Sequence, residues 1–389
     1  MATGGTARSG GSAAGVRRGV VVIGGGIAGA SVAAELAAAG QDVLLLEREG
    51  HPGYHTTGRS AALYTPSYGP PVIRALTRAS APDFAAPPTA RRPHPLLRPR
   101  DVLFLARPDQ TGALAALRDE LGDAVQPITP EQARTRLPLL RAGHLAGALL
   151  DPAAADIDVD ALHRQFLHSL AAAGGEARMR AEVTGLQRDG ASWRIATTQG
   201  ELRADLVVNA AGAWADAVAD MAGVARVGLV PKRRTALLVA PPPGQAIGDW
   251  PMAVDVEERF YLRPDAGQLL LSPADETPSP PCDAQPDELD VAICIDRIQA
   301  AFDLPVHRIA HKWAGLRSFV ADKAPVAGFA PDAPGFFWLA GQGGYGIQTA
   351  PALARTAAAL ALGRPIPADI ADQGVQPDAL APDRQRVAA

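Results

Sequence analysis

Cysteine is scarce in this chain: 389 residues include two, Cys282 and Cys294. Two thiols build neither a disulfide framework nor a zinc ligand set, and the low number fits a reducing compartment. The eight histidines show no metal-ligand spacing. No run of about 18 apolar residues occurs, which leaves no transmembrane helix to place. An excess of one charge is also missing. The net charge is −4 at pH 7 and the pI is near 6.1, which argues against nucleic acid or an anionic membrane as a partner. Clusters such as Lys232-Arg233-Arg234 therefore need a local explanation. Hydrophobic residues make up 47% of the chain and charged residues 20%, a balance that supports a sizeable core. The length suits two or three domains, or one large α/β enzyme. Residues 1–18 are rich in Gly, Ala, Ser and Thr and end in Arg17-Arg18. The apolar stretch after those arginines reads as a core strand rather than a cleavable signal. The expectation is a flexible tail on a cytoplasmic protein.

What is present begins at Val20-Val21-Val22-Ile23, followed by Gly24-Gly25-Gly26-Ile27-Ala28-Gly29. Gly24, Gly26 and Gly29 form G-x-G-x-x-G between a buried strand and an Ala-rich helix that Gly40 stops. A second apolar strand, Val43-Leu44-Leu45-Leu46, ends in Glu47. The spacing has a mechanism. The first glycine permits a tight turn, the second lets the backbone approach a pyrophosphate, and the third lets helix and strand pack closely. The helix N-terminus offers free N–H groups to phosphate, and Glu47 stands where a carboxylate would hold an adenosine ribose. A tight turn in some other α/β protein is the alternative.

Farther along, residues 50–71 are rich in Gly and Pro and read as a long loop, a feature often functional near a cofactor strand. Helices are expected over 110–122 and 130–136, the second opened by Thr129-Pro130. Residues 158–173 form an amphipathic helix with Leu162, Phe166 and Leu170 on one face. Strands are expected over 179–186, 193–197 and 206–209. From residue 235 to 271 the pattern becomes alternating β, and a helix over 286–301 and a strand over 307–316 follow. A last strand, 336–340, leads into a glycine loop and a helix over 347–362. The α/β pattern that returns late in the chain makes the nucleotide-binding domain discontinuous.

The glycine loop Gly341-Gln342-Gly343-Gly344-Tyr345-Gly346 repeats G-x-G-x-x-G. No apolar strand with a terminal acid follows, so a second mononucleotide unit cannot be built. The better reading is a helix N-terminus aimed at another electron-rich group, such as the pyrimidine edge of a reduced flavin. A helix dipole stabilises such charge by up to roughly 2 kcal/mol when partly buried. A purely structural turn is the alternative.

With Asp205-Leu-Val-Val-Asn-Ala-Ala-Gly-Ala-Trp214, these motifs resemble the FAD-dependent D-amino acid oxidase and dehydrogenase superfamily. The blocks Gly53–Ala62, Tyr68-Gly69, Pro231–Arg234, Phe260–Gly267, Trp313–Asp322 and 341–348 are most similar to those of the D-arginine dehydrogenases. The resemblance implies a doubly wound α/β FAD-binding domain (19–95, 145–230 and 318–389) and a mixed, largely antiparallel β-sheet substrate domain (96–144 and 231–317). It implies oxidation of a D-amino acid to an imino acid, which water hydrolyses to a 2-oxo acid and ammonia. Arg234 and Arg317 would hold the substrate carboxylate, helped by the Tyr261 hydroxyl. Tyr68 would sit on a mobile loop over the substrate, and the Gly344 carbonyl would lie near the amine. The FAD contacts would come from Gly24, Gly26, Ile27, Ala28, Gly29, Glu47 and Arg48. Thr57, Gly58, Arg59, Ser60 and Ala61 would line the flavin side. Val183, Ala211, Gly212, Trp214, Gly343, Gly344, Tyr345, Gly346, Ile347 and Gln348 complete the expected set. Neither cysteine falls in a flavin motif, so the FAD is expected to be non-covalent. The electron acceptor is unspecified, a quinone or another carrier, with O2 as the alternative.

Arginine suits a carboxylate because its planar fork gives two parallel charge-assisted hydrogen bonds. For Tyr261, in the alternating stretch Phe260-Tyr261-Leu262, core packing is an open alternative. No residue stands out as a general base; His51 and His55 read as adenine-side or structural, and a bound water would take the proton. Where the D-arginine dehydrogenases hold the substrate's cationic end with acidic and polar groups, this chain has Leu63 and Val102. With Met252 and Val254 these give an apolar pocket. An unpaired cation there would lose affinity through desolvation, so apolar or aromatic D-amino acids are the expected substrates.

Overall fold

The computed structural model describes residues 16–384; residues 1–15 of the expected tail lie outside the described residues. Val16, Arg17 and Arg18 already belong to the first strand, Val16–Ile23. They pair with Leu202, Arg203 and Ala204, and Arg18 bonds Asp42 at 3.1 Å.

That strand lies between Val43–Leu46 and Gly200–Asn209, parallel to both. Glu176–Arg178 and Phe336–Ala340 extend the parallel layer on either side. Val183–Asp189, Ser192–Thr197 and Val326–Phe329 add antiparallel strands to complete eight. Side chains alternate across a strand. Val20, Val22, Val43, Leu45 and Val208 therefore pack under helices Ile27–Ala38, Val159–Ala172 and Gly346–Ala361. Val21, Ile23, Leu44, Leu46 and Val207 pack on the opposite side with Leu186, Trp193 and Ala219. Cover on both faces is why these strands are uninterrupted apolar runs.

A second eight-stranded sheet runs in the order Ile309–Phe319, Val230–Val239, Gln268–Ser272, Tyr261–Asp265, Met252–Asp255, Val102–Ala106, Gly147–Asp151, Gln126–Ile128. All its pairings are antiparallel except Met252–Asp255 against Val102–Ala106. The fold is the mixed α/β architecture that the sequence implies. In this sheet Lys232 pairs with Arg317 and Arg234 with Gly315. Arg234 and Arg317 are thus diagonal neighbours on one face.

Three elements differ from the sequence reading. The strand expected over 179–186 starts only at Val183 and runs to Asp189, because the chain turns at Arg180 (φ 55°) after a short strand Glu176–Arg178. The loop-rich stretch after Gly50 holds a helix from its end onward, Pro71–Ala79, which buries Ile73 and Leu76. Its signal was Pro71 at the first helical position, masked by the neighbouring Gly69 and Pro70. The strand expected over 307–316 runs on to Phe319, which puts Arg317 inside the ladder rather than at its end.

Candidate active site

A cleft of about 320 Å³ runs between the two sheets. On its first-sheet side the glycine turn is shaped by contact. A Cβ at Gly24 would sit 2.4 Å from the Ala210 carbonyl oxygen, and one at Gly29 1.8 Å from that of Gly24. Glu47 lines the cleft, but its carboxylate already works inside the protein. Oε2 accepts from the Gly25 N–H at 2.8 Å and Oε1 from the Glu49 N–H at 2.8 Å. The Gly25 carbonyl accepts from His163 Nε2 at 2.9 Å. Helix Ile27–Ala38 has no side chain capping from Gly26; the Ile27 N–H donates to Thr57 Oγ1 at 3.0 Å. Arg48 lies over the Trp214 ring at 4.5 Å, and His55 packs on the same ring at 4.7 Å.

On the second-sheet side, Arg317 faces the cleft, and its guanidinium makes no hydrogen bond or ion pair to any described residue. Burial works against its charge, but the surrounding Tyr261, Tyr68, Glu258 and Tyr345 outweigh that and hold its pKa above the ordinary guanidinium value. Arg234 is buried and half committed: Nε donates to the Asp275 carbonyl at 2.8 Å and Nη2 to Glu276 at 3.3 Å. Burial, and then the like charge of Arg317, lower its pKa. Two cations in one low-dielectric cavity favour an anion between them. The hydroxyls of Tyr68 and Tyr261 have no partner among the described residues, and both rings line the cleft. Burial pushes the Tyr345 phenol up to about 12 and that of Tyr68 higher still. Gly344 lies against Arg317; a Cβ there would be 3.0 Å from Nη1.

Leu63, Val102, Met252 and Val254 line the same cleft, joined by Phe104 and Ala236. Asp101 is turned away, paired with Arg136 at 2.8 Å. The cleft also gathers Gly24, Gly26, Ile27, Ala28, Arg48, Thr57, Arg59, Ser60, Ala61, Val183, Ala211, Gly212, Gly343, Gly346, Ile347 and Gln348. Three expected residues are not on its wall. Gly29 serves strand–helix packing. Gly58 closes a turn by donating to the Gly53 carbonyl at 2.7 Å. Tyr345 stands behind Tyr68, ring centroids 5.2 Å apart. Arg59 is on the wall, yet its guanidinium is held by Asp283 and by the Ala284 and Ala314 carbonyls. Sequence reasoning missed Glu258, on the turn before Tyr261 with φ 56°. No motif marks it. It also missed Gln342, the variable position of the glycine loop.

Whether this cleft fits a dinucleotide can be tested on its own polar atoms. Gln342 Nε2, Gln348 Nε2 and His55 Nδ1 are buried without a hydrogen-bond partner, and all three residues line the cleft. Buried donors are rarely left unpaired. Gln348 Oε1 is used, accepting from the Thr65 N–H at 3.1 Å. These orphans, the helix start at Gly26 and the bare glycine turn fit an extended ligand with polar groups along its length.

Comparison with known proteins agrees. Residues 19–360 match the DAO family, FAD dependent oxidoreductase. The glycine oxidase of Pseudomonas aeruginosa is 30% identical over 365 residues, covering 89% of this chain and 95% of that protein. The crystal structure of glycine oxidase from Geobacillus kaustophilus superposes with a TM-score of 0.79 at 24% identity, over 90% of this chain and 96% of that one. An L-α-glycerophosphate oxidase from Mycoplasma pneumoniae with FAD bound has the same fold, TM-score 0.80 at 17% identity, over 89% and 95%. FAD is the cofactor that the cleft accommodates, and the chain belongs to the DAO family of FAD-dependent oxidoreductases.

Proposed function

We propose that this protein oxidises D-amino acids to imino acids, with a preference for apolar or aromatic side chains. The observation that carries the reading is Arg317, a half-buried guanidinium without a partner among the described residues, set beside two unpaired tyrosine hydroxyls and an apolar wall. The family description and the glycine oxidase relative support an amino-acid-like donor oxidised at its C–N bond.

In this reading Arg317 and the free edge of Arg234 take the substrate carboxylate, with the Tyr261 and Tyr68 hydroxyls completing its hydrogen bonds. A bidentate carboxylate fixes Cα rather than merely attracting the ligand. The Gly344 carbonyl is available to the amine, which must be neutral when Cα–H breaks because an ammonium cannot expel a hydride. Bound FAD supplies the two-electron acceptor. Tyr68 screens the site from water, and the released imino acid hydrolyses to a 2-oxo acid and ammonia. Leu63, Val102, Met252 and Val254 receive the side chain.

An anaerobic screen of D- and L-amino acids, glycine and sarcosine, followed by flavin absorbance, tests this. Bleaching by D-Leu, D-Met or D-Phe is expected, and no bleaching by any amino acid overturns the reading. A large kcat/KM advantage of D-Arg over D-Leu would sink the apolar preference. The second reading is a glycine-type oxidase that uses O2 and releases H2O2, favoured by the 30% identity to such an enzyme. Oxygen uptake measured beside dye reduction separates the two. Glycine as the best substrate would leave the apolar wall without a role.

A further inference from the structure

We propose that Ser67 and Asp151 form a latch that holds the Tyr68 turn across the cleft, which makes both of them positioning residues for the substrate. The inference rests on the reading above, in which Tyr68 meets the substrate. Ser67 and Asp151 lie 84 residues apart in the chain, and both are buried, 6% and 1% exposed. The Ser67 hydroxyl donates to Asp151 Oδ2. Asp151 Oδ1 accepts from the Ala153 N–H at 2.9 Å, which orients the carboxyl toward Ser67. No cation pairs with Asp151 among the described residues. A carboxyl buried without a cation is costly, and Ser67 is its only side-chain hydrogen-bond partner among the described residues.

The two ends of the latch come from separate segments: Ser67 follows Leu63–Tyr64, which pairs with Ala155–Ile157 in a small third sheet, and Asp151 belongs to the second eight-stranded sheet. Asp151 ends strand Gly147–Asp151 and sits opposite Val102 in the ladder, and Val102 sits opposite Met252. Its anchor is therefore the wall that would receive the substrate side chain. Ser67 lies in the turn closed by Tyr68 N–H donating to the Thr65 carbonyl at 3.1 Å. The Thr65 N–H is tied to Gln348, on helix Gly346–Ala361. Without the Ser67 bond, the turn keeps Gln348, the Tyr68–Tyr345 ring contact and the packing of Tyr68 with Ile73 and Phe319. The latch fastens the turn, one residue before Tyr68, to the end of strand Gly147–Asp151.

The test uses the FAD-loaded protein, its Ser67→Ala variant and its Asp151→Asn variant, which keeps an acceptor oxygen. Flavin reduction by the best D-amino acid from the screen, FAD affinity, and hydrogen–deuterium exchange of residues 65–70 are measured. In Ser67→Ala the half-saturating substrate concentration is expected to rise about tenfold, while the limiting reduction rate stays within about threefold. Exchange at 65–70 should quicken about tenfold, and FAD affinity should stay within about twofold of the parent, as Ser67 has no place in the glycine turn. Asp151→Asn should keep most of the parent's substrate affinity, since the amide oxygen still accepts from Ser67. Unchanged saturation in Ser67→Ala overturns the proposal even if exchange quickens. A loss shared equally by FAD affinity and thermal stability overturns it too, because it marks a merely structural bond. If no amino acid bleaches the parent flavin, the functional reading fails first and the substrate role of the latch falls with it, whereas the exchange data still report whether the latch exists.

Discussion

Arg59 and Arg317 line the same cleft, and their surroundings differ in one respect. Arg59 Nη1 donates to the Ala284 carbonyl at 3.0 Å and the Ala314 carbonyl at 2.9 Å, its Nη2 pairs with Asp283, and it lies over the Tyr54 ring at 5.5 Å. Arg317 stands among Tyr261, Tyr68, Glu258 and Tyr345, and its guanidinium bonds to none of them. A guanidinium brings five donors, and the protein has spent those of Arg59 on its own carbonyls. Those of Arg317 are held ready. The contrast separates scaffold from site better than residue type does, since sequence reasoning placed both arginines on the ligand.

The sharpest break is Arg317→Leu. Losing two charge-assisted bonds worth ~1.5–3 kcal/mol each should cut kcat/KM about a thousandfold, with FAD content unchanged; steady-state kinetics with flavin quantification checks both. Next is Gly344→Ala. Its new methyl would stand 3.0–3.2 Å from three atoms of the Arg317 guanidinium, so the fork must shift. A loss of roughly 10–100-fold, mostly in KM, is expected, and wild-type kinetics would mean that Arg317 does not depend on that packing. Tyr261→Phe removes one neutral hydrogen bond and should cost about 2–10-fold in kcat/KM. Arg59→Ala sharpens the contrast from the other side. It should lower stability by ~1–3 kcal/mol through the stranded carbonyls, seen by denaturant titration, while kcat/KM stays within about threefold. The smallest effect is an absence. Burial raises the phenols of Tyr68 and Tyr345, the latter to about 12, so both stay neutral and bonding-competent in alkali. The kcat/KM profile should rise as the substrate ammonium deprotonates and show no tyrosine-linked fall up to about pH 10. A descending limb below that value contradicts the assigned environment.

How much of this the chain disclosed in advance depended on range. Gly24, Gly26 and Glu47 are legible because strand, turn and helix are consecutive and the motif carries its own geometry. Arg234, Tyr261 and Arg317 came from blocks in the second sheet, read through resemblance rather than spacing. What remained hidden was pairing across distance. That Glu47 is already bound to Gly25, that Arg59 is committed to Ala284 and Ala314, and that Ser67 reaches Asp151 all depend on contacts between segments far apart in the chain. Helix Pro71–Ala79 was hidden for a different reason. Nine residues between Gly69-Pro70 and Ser80 are too short for a periodic signal to outweigh their neighbours.

Gly25 joins three distant parts of the chain through one residue. Its N–H is held by Glu47, 22 residues away, and its carbonyl by His163, 138 residues away. The glycine bend is thus tied down by the polypeptide itself and owes nothing to what it will carry. Protein stripped of its flavin should keep the bend standing, so that an emptied molecule is one that can be refilled.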